Sequence, residues 1–147
     1  MSVSRFIFAT LGLGAAGLVL LLVLHRPTPD AIQIAPLGVP VGSREGDAKV
    51  IATLKATGAD VSKSTEIIHY LYVPKELDAR AAARALEEKE FSLTIRPPGP
   101  QDRTWMVKAT EKGTPSIEHF DATRPLFRDL ARRFDGQYDG WEAAVTR

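Results

Sequence analysis

The pattern of apolar and polar residues divides the chain into an apolar amino-terminal segment and a longer region with alternating helical and strand periodicities. The first segment is an uncharged apolar run from Phe6 to Leu24. Its length matches the roughly 20 residues that an α-helix needs to cross the hydrocarbon core of a bilayer. Pro27 follows shortly after the run and would stop a helix there. Residues 1–26 are therefore predicted to be a transmembrane anchor.

A cleaved secretory signal peptide would also begin with an apolar segment. This run is longer than the usual apolar core of a signal peptide, and no small-x-small cleavage sequence follows Leu24. The preferred interpretation is an uncleaved, single-pass anchor in a bacterial inner membrane. Arg5 on one side of the run is balanced by Arg26 on the other. The positive-inside rule therefore leaves open which side of the membrane holds the rest of the chain.

Residues 27–46 are rich in proline and glycine and have no apolar periodicity, which predicts an extended linker. Residues 47–147 have the patterns of a folded domain. Asp47 is placed to cap a first helix that ends near Gly58. Residues 66–73 are rich in β-branched and aromatic side chains, which predicts a strand that is apolar on both faces. The alternation places Ile67, His69, Leu71 and Val73 on one face and Ile68, Tyr70 and Tyr72 on the other.

Two further helices are predicted, over residues 74–89 and 123–134. The apolar stripe of the first is Leu77, Ala81, Ala85 and Leu86, in which the two alanines would allow a close approach to a sheet. The stripe of the second is larger and follows the 3.6-residue period, with Leu126, Phe127, Leu130, Ala131 and Phe134.

Three further strands complete the predicted domain. Residues 91–96 and 104–110 alternate between apolar and polar positions and predict an antiparallel hairpin across a proline-rich loop. Residues 141–145 predict a short last strand. The order is thus one helix followed by β-α-β-β-α-β. This order predicts an α+β fold, a ferredoxin-like α/β sandwich with an antiparallel sheet and an extra amino-terminal helix.

The composition narrows the classes of function. The 19 Lys and Arg residues nearly balance the 18 Asp and Glu residues, so the charge gives no support for nucleic-acid binding. The absence of cysteine removes disulfides, thiolate ligands and a cysteine nucleophile. His25, His69 and His119 are scattered without the spacing of a metal motif. No nucleophile with a neighbouring histidine is visible, so the chain is not expected to be an enzyme or to need a cofactor or metal.

The most specific stretch of the sequence is Gly-Gln-Tyr-Asp-Gly-Trp-Glu at residues 136–142. Gly136 is placed to end the last helix in a left-handed conformation, and Gly140 to let the backbone turn again. Tyr138 and Trp141 each combine a large apolar ring with a polar tip, which suits an edge or an interface. From residue chemistry alone, the preferred interpretation is a helix stop, a turn and the aromatic start of the last strand.

The same stretch, with this order of elements before it, resembles the RraB family, the regulators of ribonuclease E activity B. The resemblance covers roughly residues 47–145 and is supported by Leu54, Gly58-Ala59-Asp60 and Tyr70-Leu71-Tyr72. It implies a small ferredoxin-like domain that binds ribonuclease E and inhibits it without doing chemistry. It makes Tyr138, Asp139, Trp141 and Glu142 candidate partner-binding residues, and Gly136 and Gly140 structural turn residues.

The chain departs from the soluble members of that family in its predicted anchor and linker and in its net charge of +1. Two alternatives stay open beside a membrane-tethered inhibitor. One is single-stranded RNA binding on the sheet, where Tyr70 and Tyr72 could stack on bases, although the chain lacks the usual RNA-recognition strand signature. The other is a periplasmic interaction module with an unrelated partner. The sequence does not indicate an oligomeric state.

Overall fold

The computed structural model describes residues 6–7 and 42–145 of the chain. The helices are α1 (Arg44–Ala56), α2 (Glu76–Glu87) and α3 (Ile117–Arg133). The strands are β1 (Phe6–Ile7), β2 (Thr65–Val73), β3 (Ser92–Arg96), β4 (Trp105–Gly113) and β5 (Gln137–Ala144). From α1 onward the elements follow the predicted order, one helix and then β-α-β-β-α-β.

The strands form one antiparallel sheet in the order β1-β5-β2-β4-β3. β2 is central: it pairs with β4 along its whole length, from Thr65 opposite Gly113 to Val73 opposite Trp105, and with β5 on its other side. β3 and β4 form the predicted hairpin. The α+β class and the antiparallel sheet are therefore confirmed.

The two faces of the sheet have different neighbours. Because successive side chains of a strand point to opposite faces, β2 contributes one set of residues to each face. The face that packs against the helices, here called the helix face, carries Ile67, His69, Leu71 and Val73. The opposite face, here called the second face, carries Ile68, Tyr70 and Tyr72. These are the two sets that the alternation in the sequence predicts.

Two apolar clusters fill the space between the sheet and the helices. The larger joins α2 and α3 to the middle of the sheet, around Leu71, Val107 and Phe127. The smaller joins α1 and α3 to β2 and β5, around Leu54, Ile67, Phe120 and Trp141. Full burial of side chains of this size contributes roughly 1.5–3 kcal/mol each. The smaller cluster holds α1 against the rest of the domain.

The ends of α1 correct one expectation and confirm another. Ser43, not Asp47, is the N-cap, since its hydroxyl oxygen accepts a hydrogen bond from the backbone N–H of Gly46 at 3.1 Å. Asp47 lies in the first turn, and its carboxylate points into the domain instead. Gly58 ends the helix as predicted: its φ is 83°, and the next N–H, of Ala59, bonds back to Leu54.

The buried stripe of α2 differs from the predicted one. Leu86 is buried as expected, but Leu77 is 79% exposed and Ala81 also faces solvent. The stripe that meets the sheet is instead Ala79, Ala82, Ala83 and Leu86. These positions have the i, i+3, i+4, i+7 spacing of one helix face. The sequence did not show which side of α2 faces the sheet, because alanine is abundant and gives several sides of the helix a similar hydrophobicity.

The stripe of α3 is as predicted, but the helix is longer. It begins six residues before the predicted start, with Ser116 as the N-cap that accepts from the N–H of His119 at 3.2 Å. Pro125 lies inside the helix rather than in its first turn. A proline favours the start of a helix, which made the first turns difficult to predict. The extra turns bring His119 and Phe120 over the sheet.

The predicted membrane helix lies almost wholly outside the described residues. Its first two residues, Phe6 and Ile7, form β1 and pair with Ala144 and Ala143 of β5 at the edge of the sheet. Within residues 6–7 and 42–145, no helix is long and apolar enough to cross a membrane. The predicted linker is likewise outside the described residues as far as residue 41.

Candidate functional site

The residues of the Gly-Gln-Tyr-Asp-Gly-Trp-Glu stretch run into β5, beside the central strand. Tyr138 lies opposite Leu71 and Trp141 opposite His69, so β5 uses one more residue than β2 between the two pairs. Gly140 takes up this bulge with a φ of 85°, a conformation that costs glycine little, as predicted. Residues three apart in a regular strand point to opposite faces. The bulge therefore lets both aromatic rings point to the helix face.

Gly136 has a different role from the predicted one. The left-handed residue after α3 is Asp135, with a φ of 50°, and the N–H of Gly136 bonds back to the carbonyl of Ala131 at 2.8 Å. A Cβ atom on Gly136 would lie 2.3 Å from the backbone oxygen of Tyr72. Gly136 is thus needed because β5 passes very close to the backbone of β2 at this point.

Trp141 is held by a buried polar contact as well as by packing. Its ring stacks on Phe120, with the centroids 3.8 Å apart, and its Nε1–H donates to Oδ1 of Asp47 at 2.8 Å. The other carboxylate oxygen of Asp47 accepts from Nε and Nη2 of Arg124 at 2.8 and 2.7 Å. Asp47 is only 3% exposed. One carboxylate therefore joins α1, α3 and β5.

Tyr138 begins a second buried chain of polar contacts. Its hydroxyl lies 2.8 Å from Nδ1 of His69, and Nε2 of His69 lies 2.9 Å from Oε1 of Glu111. The same carboxylate oxygen is 2.9 Å from Nε2 of His119. The ring of His69 also stacks on Phe127, at 4.4 Å between centroids. The chain leads from the centre of the core towards the partly exposed edge at His119.

The environment fixes the protonation of this chain at neutral pH. Burial raises the pKa of Tyr138 well above its usual value, so its hydroxyl keeps the proton. Burial lowers the pKa of His69, which is therefore neutral. Burial alone would raise the pKa of Glu111, but hydrogen bonds from His119 and His69 hold that pKa at about 2. Tyr138 then donates to Nδ1 of His69, and His69 donates from Nε2 to the Glu111 carboxylate.

The second face carries the two acidic residues of the stretch. The hydroxyl of Tyr70 donates to Oε1 of Glu142, while Oε2 of Glu142 is buried without a hydrogen-bond partner among the described residues. Burial raises the pKa of Glu142 to about 7, against the lowering effects of Tyr70 and Lys108. Burial also raises the pKa of Asp139 to about 6. Both carboxyl groups can therefore change charge near neutral pH.

The candidate residues thus fall into two sets. Tyr138 and Trp141 are 8% and 5% exposed and belong to the core, whereas Asp139 and Glu142 lie on the second face. Several residues that complete the buried polar contacts were not anticipated: Asp47, His69, Glu111, His119 and Arg124. Only His69 had a local signal, because it is a polar residue on the apolar face of a predicted strand. His69, Glu111 and His119 also form a group of potential metal ligands, with their ligand atoms within 4.8 Å of one another.

A comparison with models of protein families gives a match over this domain. The domain is a small α+β unit whose most specific residues lie in its last strand. The family model described as Regulator of ribonuclease activity B, RraB, matches residues 44–143, from the first residue of α1 almost to the end of β5. The chain belongs to this family. No curated protein matches it.

Proposed function

We propose that this protein is a non-catalytic regulator that binds a ribonuclease and lowers its activity, and that ribonuclease E is the partner. The observation that carries this proposal is the family match, which spans the whole domain from α1 to β5. The site supports a binding role, because the hydrogen-bonded pair of Tyr138 and His69 lies inside the core. Tyr138 and His69 are buried and bonded to each other, and neither is presented to a substrate in solvent.

The arrangement of the sheet supports assigning the domain to the ferredoxin-like class. The elements after α1 follow the β-α-β-β-α-β order of that class. The first strand of this unit, β2, lies between its third and fourth strands, β4 and β5, and all three pairings are antiparallel. In this architecture the helices cover one face of the sheet. On the second face Ile68 and Glu142 are buried, so a partner would contact its partly exposed residues, Tyr70, Tyr72 and Asp139.

The division of the β5 residues supports a corresponding division of roles. Tyr138 and Trp141 hold the shape of β5 from the helix face, since both are buried in the core. Asp139 and Glu142 point to the second face, where Asp139 is partly exposed. We infer that Asp139 contacts a basic group of the partner. Neutralisation by such a group would remove the cost of keeping this carboxylate in a half-buried position.

Binding of single-stranded RNA on the second face has less support. Tyr70 and Tyr72 lie there, but the hydroxyl of Tyr70 is bonded to the carboxylate of Glu142. Asp139 and Glu142 add negative charge beside both rings when they are ionised. An RNA-binding sheet combines exposed aromatic rings with positive charge that attracts phosphates. These carboxylates offset the nearby positive charges of Arg96 and Lys108, and this balance favours a protein partner over RNA.

The apolar run at residues 6–24 supports a membrane tether, as a further part of the proposal. A single crossing at residues 8–24 would place β1 and β5 on opposite sides of the bilayer, so a tethered chain cannot keep these two strands paired. The whole run, as a helix, would extend about 28 Å, which is within the range for a membrane helix. A carboxy-terminal reporter that distinguishes the cytoplasm from the periplasm tests on which side of the membrane the domain lies. A periplasmic carboxy terminus would exclude ribonuclease E as the partner. The domain would then bind an unrelated partner in the cell envelope.

The binding role is tested with the full chain and purified ribonuclease E. Binding and slower cleavage of a ribonuclease E substrate are expected for the wild type, and Asp139→Asn should weaken both. Asp78→Asn, which removes a carboxylate from α2 on the other side of the sheet, is the matched control and should leave both unchanged. A folded wild-type protein that neither binds the ribonuclease nor slows cleavage would refute the proposed partner. Equal effects of the two substitutions would refute the role of Asp139.

A further inference from the structure

The proposed binding role does not use the polar group formed by His69, Glu111 and His119. These side chains come from three separate elements, β2, β4 and α3, and converge between the sheet and α3. Nε2 of each histidine lies 2.9 Å from the same carboxylate oxygen of Glu111. The three atoms that could bind a metal thus already face one another, and each belongs to a side chain that is a common metal ligand.

We propose that His69, Glu111 and His119 form a binding site for a divalent transition-metal ion of the zinc class. Two imidazoles and one carboxylate are a ligand set that zinc uses, and imidazole nitrogen favours zinc, copper and nickel over magnesium and calcium. Neighbouring ligand atoms of a tetrahedral zinc ion are about 3.3 Å apart, given the usual bond lengths. The nitrogen–oxygen separations of 2.9 Å must lengthen slightly, and the Nε2 atoms of the two histidines, which lie within 4.8 Å of each other, must adopt a similar spacing around the ion.

The surroundings of His69 match those of a metal-binding histidine. Such a histidine usually donates the N–H of its other ring nitrogen to a fixed partner, which orients the ring. Nδ1 of His69 lies 2.8 Å from the hydroxyl of Tyr138, and the ring is stacked on Phe127. With a metal on Nε2, the imidazole proton moves to Nδ1 and is donated to the Tyr138 oxygen. The hydroxyl accepts in that state and donates in the metal-free state.

The other two ligands leave the site open on one side. The side chains of Glu111 and His119 are 17% and 22% exposed, whereas His69 is fully buried. An ion can therefore enter from the surface, and water can supply the fourth ligand. Gly113 leaves room for the imidazole of His119, because a Cβ atom at this position would lie 2.9 Å from its Cε1 atom.

Cobalt and zinc binding to the full chain test this site. The protein is stripped of metal with a chelator and titrated with Co²⁺, and its visible absorption is recorded. Zn²⁺ is then measured by competition with a chromophoric chelator. The wild type should bind one ion per chain and give the absorption of tetrahedral Co²⁺. Because replacing even an outer-shell partner lowers metal affinity about 10–100-fold, His119→Gln and Glu111→Gln should each lower Zn²⁺ affinity by about 100-fold or more.

Matched controls separate this site from adventitious binding. Glu118→Gln removes an exposed carboxylate next to His119, and His25→Gln removes the one histidine outside the group; neither should change the affinity or the absorption. His119 is partly exposed, so His119→Gln keeps the test valid even if Glu111→Gln does not fold. The proposal is overturned if the wild type binds no stoichiometric ion. It is also overturned if His119→Gln, folded by circular dichroism, binds Co²⁺ and Zn²⁺ as the wild type does.

Discussion

The two faces of the sheet differ in how completely their buried polar groups are hydrogen-bonded. On the helix face, the carboxylate of Asp47 accepts three hydrogen bonds, and Tyr138, His69, Glu111 and His119 form a continuous chain. On the second face, Oε2 of Glu142 is buried without a described partner. Paired polar groups in a core specify one arrangement, whereas a buried carboxyl oxygen without a partner is costly. The polar contacts of the helix face therefore stabilise one arrangement of the core. The second face retains carboxyl groups whose charge can respond to a partner or to pH.

The largest expected effect is at Trp141 on the helix face. Trp141→Ala removes the stack on Phe120 and leaves Oδ1 of Asp47 without its donor. We expect a loss of about 3–5 kcal/mol in the free energy of unfolding, enough to unfold a marginal domain. Trp141→Phe retains a ring and should cost less, about 1–3 kcal/mol from the lost hydrogen bond. Urea unfolding measures both, and a stable, cooperatively folded Trp141→Ala protein would contradict the assignment of Trp141 to the core.

Asp47 should show the next largest effect, because its ion pair is buried. Asp47→Asn keeps the shape but removes the negative charge beside Arg124, and its one oxygen cannot accept from both Arg124 and the Nε1–H of Trp141. We expect a loss of about 2–4 kcal/mol, below the full cost of an unpaired buried charge because Arg124 still bonds to Asp121. Asp121→Asn removes that exposed partner instead and should have little effect. If both substitutions lower the unfolding midpoint equally, the pair between Asp47 and Arg124 does not hold α1 in place.

Substitutions at Gly136 and Gly58 separate two costs of replacing glycine by alanine. One is the clash of a new Cβ atom with a neighbouring strand, and the other is a backbone conformation with positive φ. Gly136→Ala forces a Cβ atom against the backbone oxygen of Tyr72, so β5 must move, at a cost of about 2–3 kcal/mol. Gly58→Ala meets no atom within 4 Å and pays only for its positive φ, at about 1 kcal/mol. Thermal unfolding of the two variants measures the difference. A smaller loss for Gly136→Ala than for Gly58→Ala would mean that the contact with β2 is readily relieved.

The sequence predicted the parts of this fold that depend on local periodicity. The two faces of β2 and the apolar stripe of α3 were read correctly, because a regular strand or helix places its residues by spacing alone. The phase of α2 was wrong because alanine on several sides weakens the apolar contrast. The role of Asp47 was not visible because its partners, Arg124 and Trp141, are 77 and 94 residues away. A carboxylate near a helix start looks like a cap until its distant partners are known.

The site was less predictable than the fold for a related reason. Tyr138 and Trp141 are three residues apart, so the strand period places them on opposite faces, and only the bulge at Gly140 puts them on the same one. The local sequence indicated that Gly140 allows a turn but not which register would result. His69 and His119 meet only because Glu111 of β4 lies between them. Contacts between distant elements therefore account for most of what the sequence did not reveal.

The smallest expected effect is the pH response of Glu142 on the second face. Its pKa is raised to about 7 in the folded protein, from an ordinary value of 4.5, so the folded state binds the proton more tightly than the unfolded state does. Stability from this group is full below about pH 4.5 and is lost as pH rises through 7. On the helix face, His69 has a lowered pKa and acts in the opposite direction, since its contribution is lost as pH falls below 6.5.

Glu142→Gln isolates the contribution of the second face, because glutamine keeps an oxygen for Tyr70 and cannot ionise. Relative to wild type, the variant should gain about 1 kcal/mol in the free energy of unfolding between pH 5 and pH 8. Urea unfolding at the two pH values measures this change. Glu66→Gln, at an exposed position of β2 on the same face, should show a much smaller change, because Glu66 is the smallest of the causes that act on the pKa of Glu142. A pH-independent difference between Glu142→Gln and wild type would mean that Glu142 is ionised throughout. The second face would then carry a fixed negative charge rather than one that responds to its surroundings.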